Sequence, residues 1–270
     1  MSTVAAALTA ARARLPAVEA RLLLAHTLER SVAWLIAHDD EVLAEEPLRR
    51  FASLVARRAA GEPVAYLIGR REFFGRDFAV SPAVLIPRPE TELLVDIALA
   101  QLSMGDRILD LGTGSGCIAI TLALESPQAR VSAVDASPAA LELARGNAGR
   151  LGARVRFLHS DWFAAVAGER FELIVANPPY IAITDAHLAS GDLRHEPVAA
   201  LAGGTDGLDA IRHIASTALH HLVPGGQLWL EHGYDQAVAV RALLAAGGLA
   251  DIEQHPDLAG IIRVSGGRLP

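Results

Sequence analysis

The sequence predicts an α/β fold in which a mostly parallel sheet, covered by helices on both faces, follows a small helical domain and a β-hairpin connector. Three observations carry this expectation. Beyond Glu90 short apolar runs alternate with stretches of helical period, the pattern of a parallel sheet buried on both faces. Ahead of Gly69 the apolar residues recur only at three- and four-residue steps. Between the two, Pro82, Pro87 and Pro89 put three prolines into eight residues, a stiff boundary.

In chain order, Val18, Leu22, Ala25 and Leu28 mark one helix face, and Leu48, Phe51 and Val55 another. Ser31 is placed to cap a helix running through Ala37, and Pro47 suits the first turn of the next, where its missing N–H costs nothing. From Glu72 to Val80 aromatic and β-branched residues around Gly75-Arg76-Asp77 predict a hairpin. Helices are expected over 90–102, 115–125, 138–151, 208–222 and 235–246. Strands are expected over 107–111, 130–134, 155–158, 173–176 and 227–231, with a short final pair near 251–254 and 261–264. The expected division is a helical domain over 1–70, a hairpin and proline-rich connector over 71–89, and an α/β domain over 90–270.

Composition removes several function classes. At 270 residues and 51% hydrophobic content the chain suits one or two globular domains. Met1 to Arg14 lacks the charged head and apolar run of a signal peptide, and no long apolar stretch follows, so a cytoplasmic protein with no membrane partner is expected. One cysteine, Cys117, permits neither an internal disulfide nor a CxxC motif, and the ten histidines form no HExxH, so no metal is expected. All 24 basic residues are arginine; without lysine there is no Walker A phosphate loop and no Schiff-base chemistry. The net charge of −7 disfavours a nucleic-acid backbone as main partner. Residues 1–80 hold 11 arginines against 10 acids and the remainder 13 against 21, so the acidic surplus lies with the predicted sheet.

Ile108-Leu109-Asp110-Leu111 runs into Gly112-Thr113-Gly114-Ser115-Gly116 and then an apolar helix. A chain reversing between strand and helix needs positive φ, and a nucleotide-like ligand needs backbone without a Cβ in its way. Asp135, 23 residues after Gly112 at the end of the next strand, is placed to accept hydrogen bonds from ribose hydroxyls. Together these point to an adenosine-type cofactor. Asp110 directly before the loop would repel a pyrophosphate but attract a methionyl ammonium or sulfonium, which favours S-adenosylmethionine over NAD.

The predicted strand ending at Ala176 leads into Asn177-Pro178-Pro179-Tyr180. Each proline fixes φ and removes an N–H, which holds the preceding carbonyls as extended acceptors. A planar NH₂ group is a poor nucleophile because its lone pair is delocalised. Hydrogen bonds from its two hydrogens to Asn177 Oδ1 and the Pro178 carbonyl would orient it and support its change of shape, with Tyr180 offering a flat face. Arg88 and Glu92 read as a connector ion pair, and Glu231-His232 at a strand end as structural.

The wider pattern resembles the release factor glutamine methyltransferase family. The resemblance rests on 85–92 (Leu-Ile-Pro-Arg-Pro-Glu-Thr-Glu), 110–116, Ser160-Asp161-Trp162-Phe163, Asn177 to Ile181, Glu196-Pro197, Gly203 to Leu208, Pro224-Gly225-Gly226 with Glu231-His232-Gly233, and Asp257 to Gly260 with Arg263. It covers nearly the whole chain, including Gly61-Glu62-Pro63 and Tyr66, and is looser in the N-terminal part. It implies a Rossmann-like class I methyltransferase domain with a seven-stranded sheet, and S-adenosylmethionine at Gly112 to Gly116 and Asp135. It implies Trp162 beside the adenine and Asn177 near the methyl donor. It also implies that Asn177, Pro178, Pro179 and Tyr180 hold the glutamine of a Gly-Gly-Gln motif in release factors, a step of translation termination. The helical domain, with Arg49, Arg50, Arg57 and Arg58 on one predicted helix, is then the candidate for recognising that protein. An N6-adenine methyltransferase would use the same tetrapeptide on a flipped base; net charge and the lack of a basic target domain stand against it.

Overall fold

The structure, a computed structural model, describes residues 2–270. Contacts divide it into two compact units, Met1–Arg70 with Gly191–His195, and Arg71–Ser190 with Glu196–Pro270.

The first unit holds β1 (Ser2–Thr3), α1 (Val4–Arg12), α2 (Ala17–Leu28), α3 (Val32–Ala37), β2 (Val42–Leu43), α4 (Glu45–Ala59) and α5 (Val64–Ile68). Ser31 Oγ accepts the Trp34 N–H at 3.1 Å and caps α3, and Pro47 lies in the first turn of α4. The face of α2 differs from the one the spacing predicts. Of the expected face Ala25 is buried and Leu28 half-buried, but Val18 is 66% and Leu22 40% exposed, while Ala20, Leu23, Leu24 and Thr27 are buried. Apolar residues surround this helix, so their spacing selects no single face; the helices packed against it, α1, α3, α4 and α5, select it instead. The two-residue pairing of β1 with β2 carries no sequence signal that predicted it.

The second unit opens with the hairpin β3 (Arg70–Phe73) and β4 (Arg76–Ala79). Its turn residues are Phe74 and Gly75, both at positive φ (51° and 72°), so the reversal comes one residue earlier than Gly75-Arg76-Asp77 suggested. Phe73 and Phe78 are fully buried in the same cluster as Leu94, Ile118 and Val131, which builds the hairpin into the core of this unit.

Then follow α6 (Thr91–Gln101), β5 (Arg107–Leu111), α7 (Cys117–Glu125), β6 (Arg130–Asp135), α8 (Pro138–Leu151), β7 (Val155–His159), β8 (Phe171–Ala176), the short α9 (Val198–Leu201), α10 (Asp209–Thr217), β9 (Leu222–Glu231), α11 (Ala237–Ala246), β10 (Ala250–Pro256) and β11 (Ile262–Arg268). Seven strands form one sheet in the order β10-β11-β9-β8-β5-β6-β7. Its pairings from β9 through β7 are parallel, and β11 runs antiparallel to both neighbours. Side-chain alternation along β5 divides the core: Ile108 packs on one face with Leu94 and Ile118, and Leu109 and Leu111 on the other with Ile174, Ile214 and Val240. This is the Rossmann-like class I methyltransferase arrangement.

Parallel register brings the carboxyl ends of the strands into line, with Leu111 beside both Val134 and Ala176, and Ala176 beside Leu230. The chain order reverses at β5, the switch point where α/β sheets open a crevice. Glu231 at the end of β9 is seated by β11, whose Val264 pairs with it while Gly266 pairs with Trp229. A Cβ at Gly266 would lie 2.2 Å from Trp229 Cε3 and 2.5 Å from the Leu228 carbonyl. Gly266→Ala should therefore destabilise the protein by about 1–3 kcal/mol through overpacking. Urea unfolding should show a lower midpoint at unchanged slope; an unmoved midpoint would contradict this packing.

Candidate active site

The loop after β5 has Gly112, Gly114 and Gly116 at φ 71°, 55° and 83°, a region L side chains rarely adopt. The N–H groups of Gly112 and Thr113 donate to the Val134 carbonyl at 2.9 and 3.0 Å, which ties the loop to the end of β6. Asp135 continues the tie: Oδ2 accepts from the Gly114 N–H and Oδ1 from the Ser137 N–H, each at 2.8 Å. A carboxylate has about four lone-pair sites, so Asp135 keeps acceptor capacity towards the cavity it lines. A Cβ at Gly114 would meet nothing within 4 Å, whereas one at Gly116 would lie 2.7 Å from Ile120 Cδ1. Gly114 thus leaves room for a ligand, and Gly116 lets the helix pack.

A cavity of about 370 Å³ opens at these strand ends, the size of a small-molecule site. Gly112, Thr113, Gly114, Ser115, Asp135, Trp162, Asn177 and Pro179 line it. Asp110, Gly116, Pro178 and Tyr180, also predicted site residues, are not among the residues that line it. Trp162 is held at φ 45°, unusual for a bulky residue, by Ser160, whose hydroxyl donates to the Trp162 carbonyl at 2.7 Å and accepts the Ala165 N–H at 2.9 Å. That clamp gives Ser160-Asp161-Trp162-Phe163 a physical reason.

Asp110 is fully buried beneath the loop. Its Oδ2 accepts from the Thr113 hydroxyl at 2.6 Å, while Oδ1 has no partner. Burial raises its pKa to about 7 against the opposing Thr113 bond. Such an unpartnered buried acceptor suits a cationic group placed above it.

The tetrapeptide is fixed from three sides. Asn177 Nδ2 donates to Thr91 Oγ1 at 3.1 Å, and the Tyr180 hydroxyl donates to Glu231 Oε1 at 3.2 Å. Gln236 Nε2 donates to the Tyr180 carbonyl at 2.9 Å. Beneath it, a Cβ at Gly203 would lie 2.5 Å from the Pro179 carbonyl oxygen, and one at Gly207 2.3 Å from that of Tyr180. The glycines of the 203–207 block are there because backbone passes over backbone.

Arg88 and Glu92 do not form the expected pair. Arg88 is bonded to the buried Glu196, whose Oε2 also accepts the Ile86 N–H at 3.0 Å, and Glu92 accepts the Phe74 N–H at 2.8 Å. The chain turns into α6 between them, with the Thr91 N–H on the Arg88 carbonyl, and Glu92 is directed to the hairpin. Among the described residues no cluster of His, Cys, Asp or Glu is placed to hold a metal ion.

Residues 1–69 match the family model described as PrmC N-terminal domain, and 89–193 match the Methyltransferase small domain. The release factor glutamine methyltransferase of Bordetella pertussis is 56% identical over 94% of this chain and 96% of its own length. That of Burkholderia pseudomallei is 56% identical over 95% and 93%. The chain belongs to the release factor glutamine methyltransferase family. A methyltransferase structure from Pyrococcus furiosus, 20% identical, superposes over 80% of this chain and 98% of its own with a TM-score of 0.56, a likeness of fold. The methyl donor of this release factor glutamine methyltransferase family member is S-adenosylmethionine. The cavity fits it: an open glycine edge, acceptor capacity on Asp135, an aromatic wall at Trp162 and the unpartnered Asp110 oxygen below.

Sequence reasoning missed the residues that hold this site of the methyltransferase. Asn147 on α8 is fully buried, donating to the carbonyls of Ser115 at 2.9 Å and Ala79 at 3.0 Å, so it joins glycine loop to hairpin. A single asparagine in an amphipathic helix gives no warning of this. Thr91 and Glu196 stood inside the blocks that carried the resemblance, without a role.

Burial of Asp110 has a consequence for stability. Its folded pKa of about 7 exceeds the unfolded value near 3.8, so the folded state holds more protons between about pH 4 and 7. This contribution is full below the unfolded value and is lost as pH rises through the folded one. Removing it should cancel a slope of at most about 1.4 kcal/mol per pH unit in that window. In calorimetry the difference in Tm between Asp110→Asn and the ligand-free wild type should shift in favour of the variant from pH 4 to 7. A difference constant with pH would contradict the buried carboxyl.

Proposed function

We propose that this chain methylates the side-chain amide nitrogen of the glutamine in the Gly-Gly-Gln motif of peptide chain release factors, at the cavity edge formed by Asn177, Pro178, Pro179 and Tyr180. The observation that carries this reading is the orientation of Asn177. Its Nδ2 is engaged by Thr91, which leaves Oδ1 as an acceptor at the cavity wall.

Bound S-adenosylmethionine supplies an electrophilic methyl group. Asp135 would accept from the ribose hydroxyls, Trp162 would pack beside the adenine, and Asp110 beneath the glycine loop would attract the ammonium of the methionyl part. Gly112, Thr113, Gly114, Ser115 and Gly116 give the backbone its close approach. The chain's own contribution to transfer is positional. Asn177 Oδ1 and the Pro178 carbonyl each accept one hydrogen of the glutamine NH₂, and the Tyr180 ring bears on the flat face of the amide. As the nitrogen bonds to the methyl carbon and the C–S bond breaks, its electron pair staying on sulfur as a neutral thioether, both acceptors strengthen their hold on the more positive N–H groups, an interaction greatest in the transition state; one of these hydrogens then leaves as a proton to water. The −8 balance of residues 81–270 suits a cationic donor and a protein substrate better than a phosphate backbone. No helix among the described residues is long and apolar enough to cross a membrane. The enzyme acts in the cytoplasm, where release factors are met.

The helical domain selects the partner, since one glutamine side chain offers too few contacts to be chosen among all others. Three of the four arginines singled out there are already paired with carboxylates. Arg49 is bonded to Glu45 and Glu46, Arg57 to Glu62, and Arg58 to Glu19 and Asp192, all inside the first unit.

Two experiments test these readings. With radiolabelled S-adenosylmethionine offered release factor or DNA, label should enter the release factor, and Asn177→Ala should lower the single-turnover rate by roughly 10² or more with little change in cofactor affinity. Labelled DNA, or a variant at the wild-type rate, would overturn the assignment. For the helical domain, a chain starting at Arg71 keeps Phe73 and Phe78 in their core, as one starting at Ser81 would not. It should bind S-adenosylmethionine yet methylate release factor far more slowly, and a full-length rate would refute the recognition role.

A further inference from the structure

Two stretches that line the cavity have no part in holding the cofactor: Leu85, Pro87 and Arg88 in the proline segment, and Pro197, Ala199 and Ala200 around the start of α9. Much of this lining has no hydrogen-bond donor to spare. Pro87, Pro179 and Pro197 carry no N–H. The N–H groups of Ala83, Val84 and Ala200 are taken up by Ser81 Oγ at 3.3 Å, the Ser81 carbonyl at 3.1 Å and the Pro197 carbonyl at 2.9 Å. Arg88 stands apart from these neighbours, and among the described residues it is the only cation that lines the cavity.

Its guanidinium is held in place. Glu196, whose side chain is fully buried, bonds to it through Oε1 and accepts the Ile86 N–H at 3.0 Å through Oε2, so the two stretches meet at one carboxylate. The Arg88 carbonyl accepts the Thr91 N–H at 3.1 Å, and Thr91 Oγ1 accepts from Asn177 Nδ2 at 3.1 Å, so hydrogen bonds through Thr91 lead from Arg88 to the tetrapeptide. A guanidinium carries N–H donors on each of its nitrogens in a rigid fork, and the bond to Glu196 engages Nη2. The side chain is 30% exposed, which leaves its other donors for a ligand in the cavity. Because Glu196 already balances the charge, Arg88 presents directed donors with little net field. Such a group suits a neutral carbonyl better than an anion such as the methionyl carboxylate.

We propose that Arg88 binds the main chain of the substrate segment, donating to a peptide carbonyl of the glycines that precede the target glutamine, with Glu196 as the positioning residue that aims it. This rests on the reading above, in which Gly-Gly-Gln enters beside the tetrapeptide. Glycines offer no side chain, so an enzyme can hold them only through their N–H and C=O groups. Asn177 Oδ1 and the Pro178 carbonyl are acceptors, and the glutamine NH₂ occupies them. Donors for the substrate carbonyls must come from elsewhere on the cavity, and Arg88 supplies them. The bonded carbonyl lies away from the reacting nitrogen, so this interaction is made equally in the ground state and the transition state. It belongs to KM and not to the rate at saturation.

The test uses the full-length enzyme with S-adenosylmethionine and intact release factor. Arg88→Met keeps most of the stem and removes every donor. Its KM for release factor should rise roughly ten- to a hundredfold, the loss of a charge-assisted hydrogen bond. The rate at saturating release factor and the calorimetric affinity for S-adenosylmethionine should stay within about twofold. Glu196→Gln still accepts the Ile86 N–H but no longer holds the fork by charge, and it should raise the same KM by a smaller factor with cofactor affinity unmoved. An unchanged KM in Arg88→Met would overturn the proposal. So would a loss of cofactor affinity as large as any change in KM, which would assign Arg88 to the methionyl carboxylate. Should Arg88→Met fail to fold on the stranded charge of Glu196, the double variant Arg88→Met with Glu196→Gln, neutral at both positions, is held to the same comparison. A wild-type enzyme that leaves release factor unlabelled would instead remove the reading on which the proposal rests.

Discussion

The strand β5 pairs in parallel with β6 on one side and β8 on the other, and the position of every group at the site follows from that pairing. Because register is shared, the chain leaves the sheet at Leu111, Asp135 and Ala176 along one edge, so the glycine loop, Asp135 and the tetrapeptide reach one cavity from three strands. Adjacent β9 ends at Glu231 on the same edge and comes beneath the tetrapeptide from the side opposite to the cofactor loop. A one-residue slip of β8 against β5 would turn Asn177 towards the other face of the sheet and separate it from Thr91.

Several local features at this edge cost stability. Two carboxyls are buried with raised pKa values, each with an oxygen lacking a partner, and a tryptophan sits at positive φ. None of these helps the fold by itself. All three gather at the strand ends: Asp110 under the glycine loop, Glu231 at the Tyr180 hydroxyl, Trp162 on the cavity wall. The surroundings that hold them are conventional, with apolar layers on both faces of the sheet and glycines where backbones cross.

The sheet was legible because its strands are short apolar runs between turn signals; the predicted strands coincide with the observed ones except at their ends, most of all in β9, which starts at Leu222 rather than Gln227. The glycine loop and the Asn-Pro-Pro-Tyr segment were legible because glycine and proline dictate backbone conformation locally. The buried face of α2 was not, since a helix apolar all round leaves the choice to its neighbours. Nor was the partner of Arg88: Glu196 lies 108 residues away, and such a pairing depends on tertiary contacts that spacing cannot encode. Thr91 was present in a recognisable block, but its bond to Asn177 exists only where the start of α6 meets the end of β8.

In the proposed reaction the amide hydrogens of a glutamine are held by Asn177 Oδ1 and the Pro178 carbonyl, with the cofactor in the adjoining cavity. The measurement that tests it most directly is a crystal structure of the protein with S-adenosylhomocysteine and a release factor fragment bearing Gly-Gly-Gln. The account predicts the glutamine amide nitrogen within hydrogen-bonding distance of both acceptors and facing the cofactor sulfur, with Asn177 Nδ2 still on Thr91. A glutamine bound elsewhere, or an Asn177 amide reversed so that Nδ2 faces the substrate, would contradict it.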